Sequence, residues 1–229
     1  MSALKIQPSE ASAQPWWLAV APTKRTFCSH TYIVLKRCMD LLIVSSAIPI
    51  WLPLFALCTI LIKATAPHAP IFFIQERTGQ GGRRFRMYKF RTMVVNAEAL
   101  KHQYKYLNEL QWPDFKITND PRITRIGRFL RKTSLDELPQ LWNVLRGDMS
   151  LVGPRPTSFS AATYLLWQTE RLDVKPGVTG LWQLYGRSTT EFDARLRLDI
   201  AYIERQGLWM DVQILVRTIA SVLQRRGAH

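Results

Sequence analysis

The chain has 229 residues, enough for one domain with a sizeable hydrophobic core. Lysine and arginine outnumber aspartate and glutamate by 31 to 17, which gives a net charge of +14. A balance this basic points to nucleic acid, an anionic membrane surface or a phosphorylated substrate. The apolar fraction of 47% argues against disorder, and three cysteines without paired spacing argue against a disulfide scaffold.

Residues 1–34 carry scattered prolines, serines and alanines without periodicity, which predicts a loosely ordered extension. It lacks the pattern of a signal peptide, because the apolar run starts late and no short basic segment leads into it.

Cys38–Ile62 is an apolar run whose only charge is Asp40, and it is about long enough to cross a bilayer. Pro49 and Pro53 lie near its middle, where proline breaks or kinks a helix. Lysine and arginine flank both ends, as is typical of cytoplasmic flanks. We therefore predict a re-entrant membrane hairpin (helix–break–helix) over residues 35–66, with a plain spanning helix as the alternative.

Ala69–Met93 has the pattern of a β-hairpin, with a short apolar strand, a glycine-rich turn and a return strand. The return strand is very basic, and two of its cations, Lys89 and Arg91, are candidate ligands of substrate phosphates. Basic residues interleaved with aromatic ones fit nucleic acid and lipid headgroups equally well. The adjoining apolar hairpin favours lipid headgroups and substrate phosphates.

Val94–Gln111 is predicted as a helix that is polar on most of its surface, and a turn-rich linker follows it. Apolar residues then recur at offsets of three and four from Leu135 to Leu145, which predicts a short amphipathic helix. Gly147 is a usual stop signal just past its end.

Two adjacent carboxylates, Asp136 and Glu137, stand at the start of this helix. Ser134 and Glu137 have the spacing of a capping box. With Asp136 as the N-cap instead, Pro139 falls in the first turn, where its missing N–H needs no partner. Either frame places both carboxylates at a helix N-terminus, which stabilises anions. Acidic residues there are usually caps.

Cations surround this carboxylate pair in the sequence. Arg131 and Lys132 precede it, and Arg155 follows within the motif GPRP. A carboxylate among cations suits phosphoryl chemistry, because the cations gather the phosphate and the carboxylate attacks it or holds its metal.

The C-terminal part is predicted to contain a helix over Ala161–Thr169, a loop over Lys175–Arg187, and helices over Glu191–Gln206 and Trp209–Arg226. The last helix has an apolar stripe, which is more often core than membrane contact. An interfacial helix on the lipid headgroups is the alternative.

Four stretches resemble the bacterial sugar transferases, the monotopic polyprenyl-phosphate phosphoglycosyl transferases. They are LKRCMDLL (35–42), IFFIQERTGQGGRRFRMYKFRTM (71–93), SLDELPQLWNVLRGDMSLVGPRP (134–156) and KPGVTGLWQLYGR (175–187). The resemblance implies a mainly α fold with a small β-hairpin and a re-entrant membrane hairpin. It also implies a monotopic protein at the cytoplasmic face of a bacterial inner membrane, with a cytosolic catalytic domain over residues 67–229.

The resemblance further implies a reaction in which a UDP-sugar and polyprenyl phosphate give polyprenyl-diphospho-sugar and UMP, the initiating step of polysaccharide or glycoconjugate synthesis. By family position, Asp136 forms a covalent phosphosugar intermediate and holds Mg²⁺. Glu137 supports the metal or transfers a proton. Arg131 is expected to hold polyprenyl phosphate, Arg155 a substrate phosphate and Arg187 the diphosphate of the donor.

The expected partners are a UDP-sugar, polyprenyl phosphate and anionic membrane lipids, with no nucleic acid, and the sequence leaves a homodimer open. The competing interpretation is a basic membrane-surface binding module without catalysis. It explains the charge and the apolar hairpin, but not the carboxylate pair among arginines. A multi-pass phosphosugar transferase is disfavoured because the chain has a single long apolar run.

Overall fold

The computed structural model describes residues 30–109, 115, 117–185 and 192–224. Helices dominate this part of the chain, and two small sheets accompany them, each with two strands. The predicted mainly α fold with a β-hairpin is therefore confirmed. Most of the predicted extension, residues 1–29, lies outside the described residues.

The apolar segment forms two consecutive helices, α1 (His30–Ser46) and α2 (Ile48–Thr65). The helix is interrupted at Ala47, two residues before Pro49, because proline has no N–H to donate to the helical ladder. The prediction that Pro53 also breaks the helix is wrong, because Pro53 lies inside α2 without ending it. Only one ladder hydrogen bond is lost there.

Among the described residues, α2 is the one helix long and apolar enough to cross a membrane. Protein covers only one side of α2 and only one side of the part of α1 that lies beside the break. The large apolar side chains that are at least half exposed here are Leu42, Ile50, Leu52, Leu57 and Ile60.

The two helices pack against two different hydrophobic clusters of the same domain. Val44 of α1 is buried in the larger cluster, which also contains Met87. Cys58 and Ile62 of α2 are buried in a smaller cluster around Phe90. Both helices therefore contact the same domain, one on each side of the break.

Charged side chains fasten α1 to the domain. Lys36 donates to Asp211 over 2.7 Å, and the hydroxyls of Tyr202 and Tyr32 donate to the same carboxylate over 2.7 and 3.0 Å. Asp211 has no exposed surface. We call these four residues the Asp211 anchor. Lysine at this flank, predicted as a cytoplasmic marker, is therefore also a structural contact.

The predicted β-hairpin is confirmed, with β1 (Phe72–Thr78) and β2 (Arg84–Phe90) paired antiparallel. The side chain of Asn143 binds the backbone of β2, because it accepts a hydrogen bond from the N–H of Tyr88 and donates one to the carbonyl of Arg86. This fully buried asparagine fixes the basic strand against the helix that follows the carboxylate pair.

The remaining elements follow in chain order. They are α3 (Arg125–Lys132), α4 (Gln140–Arg146), β3 (Ser150–Val152), β4 (Gly177–Thr179), α5 (Leu181–Tyr185), α6 (Phe192–Glu204) and α7 (Leu208–Leu223). The last two helices are close to prediction, and α4 ends at the predicted Gly147 stop but begins later than predicted. Strands β3 and β4 pair in parallel. They approach so closely that a Cβ atom on Gly177 would lie 2.1 Å from the backbone nitrogen of Gly153.

Two helix predictions are wrong. Val94–Gln111, as far as it is described, forms only two short 3₁₀ turns, 99–101 and 105–107. Its polar surface gives it no apolar face to bury, and an isolated helix of this length is marginal in water. Ala161–Thr169 likewise belongs to two 3₁₀ segments, 161–163 and 166–172. The predicted loop Lys175–Arg187 contains β4 and α5.

Candidate active site

The carboxylate pair lies in a 3₁₀ turn, Leu135–Glu137, between α3 and α4. Ser134 has a left-handed backbone with φ 56°, which ends α3 in the way that a residue after a helix C-cap commonly does. The predicted capping box is therefore wrong, since Ser134 caps nothing with its side chain. Helix α4 begins only after Pro139, so that the proline costs no hydrogen bond.

Glu137 is the centre of a compact ionic cluster. Its Oε1 accepts a hydrogen bond from Lys89 Nζ over 2.7 Å and another from Arg155 Nη2 over 2.6 Å. We call these three residues the Glu137 cluster; their side chains are 17–33% exposed. Burial pushes the pKa of Glu137 up, but Arg155 and Lys89 outweigh it and hold the pKa well below its usual range.

Asp136, the neighbouring residue, lacks the hydrogen-bond partners that Glu137 has. Its carboxylate accepts no hydrogen bond from the described residues, and its side chain is half-buried. Burial raises its pKa, while Lys89, Arg131 and Arg155 act against that rise. Asp136 is thus a carboxylate with free lone pairs in a positive surrounding.

Arg131 reaches the site from the end of α3. Its Nε donates to the hydroxyl of Thr92, which follows β2, over 2.9 Å. Burial lowers its pKa, and the charge of Asp136 opposes that shift. The predicted cations Arg131, Arg155 and Lys89 are therefore brought together around the carboxylates, with more positive than negative charge.

Two other predicted phosphate ligands are not part of this arrangement. Arg91 donates to the carbonyl of Pro70 over 2.7 Å, and no hydrogen bond or ion pair joins it to Asp136 or Glu137. Arg91 follows β2, which ends at Phe90. Arg187 lies outside the described residues.

The GPRP segment is held by its backbone. Its two prolines have no N–H, so the carbonyl groups provide the anchoring points. Four consecutive carbonyls each accept a hydrogen bond: Pro154 from the N–H of Gly177, Arg155 from Arg171, Pro156 from Arg77 and Thr157 from the N–H of Thr78. The side chain of Arg155 is therefore presented to Glu137 from a fixed main chain.

Sequence reasoning missed Arg77, Arg171 and Asp199. Burial lowers the pKa of Arg77 to about 10, and the charges of Arg155 and Arg84 add to that shift. The sequence neighbours of these residues carry no local motif that predicts such contacts. Arg171 and Asp199 meet across 28 positions of the chain.

The fold and the site together define a class. An apolar helix pair is joined to a domain whose cations surround one paired and one unpaired carboxylate, as a protein that handles phosphates beside a membrane requires.

The chain belongs to the bacterial sugar transferase family, whose sequence pattern matches residues 31–225. It is 43% identical over 205 residues to the UDP-galactose-lipid carrier transferase of Erwinia amylovora, covering 87% of this chain and 43% of the relative. It is 44% identical over 215 residues to the undecaprenyl-phosphate galactose phosphotransferase of Salmonella typhimurium, covering 92% of this chain and 43% of the relative.

The chain thus spans less than half the length of these two relatives. A relative of similar size is the exopolysaccharide production protein ExoY of Rhizobium meliloti. It is 37% identical over 205 residues, which cover 85% of this chain and 88% of the relative.

Proposed function

We propose that this chain transfers a sugar-1-phosphate group from a UDP-sugar to polyprenyl phosphate. The products are UMP and polyprenyl-diphospho-sugar, and the reaction initiates synthesis of a polysaccharide or glycoconjugate. The observation that carries the proposal is the unpaired Asp136 carboxylate facing Lys89, Arg131 and Arg155. Relatives named for transfer from UDP-galactose and UDP-glucose to lipid carriers support the same substrate classes.

In the first step, a carboxylate oxygen of Asp136 attacks the phosphorus that carries the sugar. The bond from that phosphorus to the bridging oxygen breaks, and the electron pair leaves with UMP. The sugar-phosphate is then bound covalently to Asp136 as an acyl phosphate. The free lone pairs of Asp136 support this role, because a carboxylate oxygen that already accepts hydrogen bonds from cations is a poorer nucleophile. Asp136 keeps one oxygen for the attack even when its other oxygen holds a metal ion.

In the second step, a phosphate oxygen of polyprenyl phosphate attacks the same phosphorus. The bond between phosphorus and Asp136 breaks, which restores the carboxylate and releases the lipid-linked sugar. The two steps predict ping-pong kinetics. Arg131 and Arg155 would neutralise the phosphate charges in both steps.

We assign Glu137 a positioning role. Its pKa is held well below the usual range, so that it does not serve as a proton donor near neutral pH. Its oxygens accept from Lys89 and Arg155, which fixes the two cations at a set distance from Asp136.

Mg²⁺ fits Asp136 better than Glu137. The ion needs few protein ligands and often uses one carboxylate together with substrate phosphates. Asp136 offers an oxygen that no described residue occupies, whereas Lys89 and Arg155 engage Glu137. When bound, the ion would neutralise charge on the diphosphate.

We further propose that α1 and α2 enter one leaflet and return to the cytoplasmic face. The support is that both helices pack against the same domain while their apolar side chains near the break stay exposed. A site beside such a hairpin can serve a water-soluble donor and a lipid acceptor at once. Anionic lipids would attract the basic surface.

A direct test is UMP release by the detergent-solubilised protein with Mg²⁺ and polyprenyl phosphate. The donor panel is UDP-galactose, UDP-glucose and UDP-N-acetylgalactosamine, the sugars that relatives' names contain. We expect release with at least one donor and none from Asp136→Asn. Folded protein that binds anionic vesicles but releases no UMP would instead support the membrane-surface binding module.

A further inference from the structure

A buried ion pair contacts the main chain of Arg155. Arg171 and Asp199 are 6% and 2% exposed, and Arg171 Nη2 donates to Asp199 Oδ2 over 2.6 Å. The same nitrogen donates to the main-chain carbonyl of Arg155 over 2.5 Å. One guanidinium therefore connects a carboxylate of α6 to the backbone of a residue whose side chain contacts Glu137.

The pair is charged under ordinary conditions. Burial raises the pKa of Asp199 to about 6, while Arg171, Arg195 and Arg155 act against that rise. The carboxylate is therefore ionised at pH 7.5. It compensates a guanidinium that would otherwise be buried near two more cations, which is strongly unfavourable.

The pair is also poorly satisfied for a purely structural contact. Asp199 Oδ1 is buried and accepts no hydrogen bond from the described residues. A pair selected for stability alone would gain from partners for both oxygens. What the pair does achieve is a charge-assisted hydrogen bond to the carbonyl of Arg155, the stronger type of hydrogen bond.

We propose that Arg171 and Asp199 are positioning residues, which hold the Arg155 main chain so that its side chain meets both Glu137 and a phosphate of the donor. This inference rests on the proposed function, which gives Arg155 its phosphate. Arg171 orients Arg155, and Asp199 keeps the Arg171 guanidinium in place. Neither touches the reacting atoms.

The test compares Arg171→Met, which cannot donate, with Arg171→Lys, which keeps one charged donor. We expect KM for the donor to rise about tenfold in Arg171→Met, with a smaller fall in kcat, and to recover at least partly in Arg171→Lys. A role in stability alone would lower kcat with the folded fraction and leave KM unchanged. That result, in protein whose folded fraction is measured by thermal unfolding, would overturn the proposal.

A double variant separates folding from positioning. In Arg171→Met/Asp199→Leu both buried charges are removed together, a change that often leaves stability unaffected or improved. We expect its melting temperature to exceed that of Arg171→Met, while KM for the donor stays high. Recovery of KM together with stability would show that the pair only supports the fold.

A binding measurement that needs no turnover keeps this inference distinct from the proposed function. Titration calorimetry with UDP should show about tenfold weaker binding to Arg171→Met than to the natural protein. The effect should disappear in an Arg155→Met background, because Arg171 acts through Arg155. If the natural protein binds UDP but releases no UMP, the proposed reaction fails, and weaker UDP binding by Arg171→Met still supports positioning. If Arg171→Met binds UDP as the natural protein does, positioning fails.

Discussion

The Glu137 cluster and the Asp211 anchor are built from similar groups and differ in balance. In the Asp211 anchor, one lysine and two tyrosine hydroxyls meet a single carboxylate that has no exposed surface. In the Glu137 cluster, two cations meet one carboxylate while the neighbouring Asp136 has no hydrogen-bond partner among the described residues. A balanced cluster fastens α1 to the domain, whereas surplus cations beside an unpaired carboxylate can receive a phosphate.

The largest expected effect concerns the unpaired carboxylate. Asp136→Asn should lower UMP release by about 10⁴-fold or more, the order seen when a nucleophile is removed. The melting temperature should not fall, because burial raises the pKa of Asp136 and a neutral amide is tolerated there. Glu76→Gln, which changes an exposed carboxylate of β1, is the matched control and should retain activity. A strongly destabilised but active Asp136→Asn protein would mean that Asp136 serves stability, as Asp211 does, and not catalysis.

Glu137→Gln should affect both activity and stability. Lys89 and Arg155 lose their shared charge partner, and removing one member of a partly buried ion pair costs about 2–3 kcal/mol. We expect UMP release to fall about 100-fold, because both cations lose their fixed positions. Chemical denaturation and initial rates measure the two quantities. A stable variant with natural activity would mean that Glu137 does not position the cations.

Lys36→Met should affect stability alone. Asp211 would keep its tyrosine partners but lose its cation, with an expected cost of about 3 kcal/mol in the free energy of unfolding. Per folded molecule, kcat and KM for the donor should stay within about twofold of the natural protein. A large change in KM would indicate that the anchor belongs to the catalytic machinery.

The pH dependence of stability should have opposite signs at Glu137 and Asp199. The pKa of Glu137 is lowered from its ordinary value of 4.5, so its contribution is complete above that pH and is lost as the pH falls. The pKa of Asp199 is raised from 3.8 to about 6, so its contribution is complete at low pH and is lost as the pH rises through about 6.

Unfolding free energies measured from pH 4 to pH 8 check this contrast. The advantage of the natural protein over Glu137→Gln should shrink toward pH 4. The difference in free energy of unfolding between the natural protein and Asp199→Asn should shrink from pH 4 toward pH 6 and be constant above that range. Parallel curves for the two variants would show that the two carboxylates do not differ as described.

The smallest effect is expected at Pro53. Pro53→Ala restores one ladder hydrogen bond in α2 and should raise stability by up to about 1 kcal/mol, with activity changed less than twofold. Pro49→Ala is the comparison variant, because Pro49 lies beside the interruption of the helix. Equal effects of both substitutions on activity would mean that the interruption does not depend on Pro49.

Local sequence patterns predicted the elements that are determined mainly by contacts between residues close together in the sequence. The β-hairpin, α6 and α7 follow from strand alternation, glycine turns and helical stripes. The capping box expected at Ser134 fails because the end of α3 requires a left-handed residue there, which no local spacing indicates. The polar helix expected at Val94 fails because tertiary packing offers it no partner.

The candidate site divides in the same way. Asp136, Glu137, Arg131 and Arg155 belong to one continuous stretch, so that sequence placed them together before the fold was known. The pairing of Glu137 with Lys89 joins residues 48 positions apart, and only the three-dimensional fold reveals that Glu137 is occupied while Asp136 is not. Arg171 and Asp199 were missed for the same reason.

The most direct test of the contrast between the two carboxylates is intact mass spectrometry of the solubilised protein with Mg²⁺ and each UDP-sugar, without lipid acceptor. We predict a mass increase of one sugar-phosphate with the correct donor, absent in Asp136→Asn and discharged by added polyprenyl phosphate. If Asp136→Asn acquires the same adduct, or if the natural protein releases UMP with acceptor present while forming no adduct without it, Asp136 is not the nucleophile.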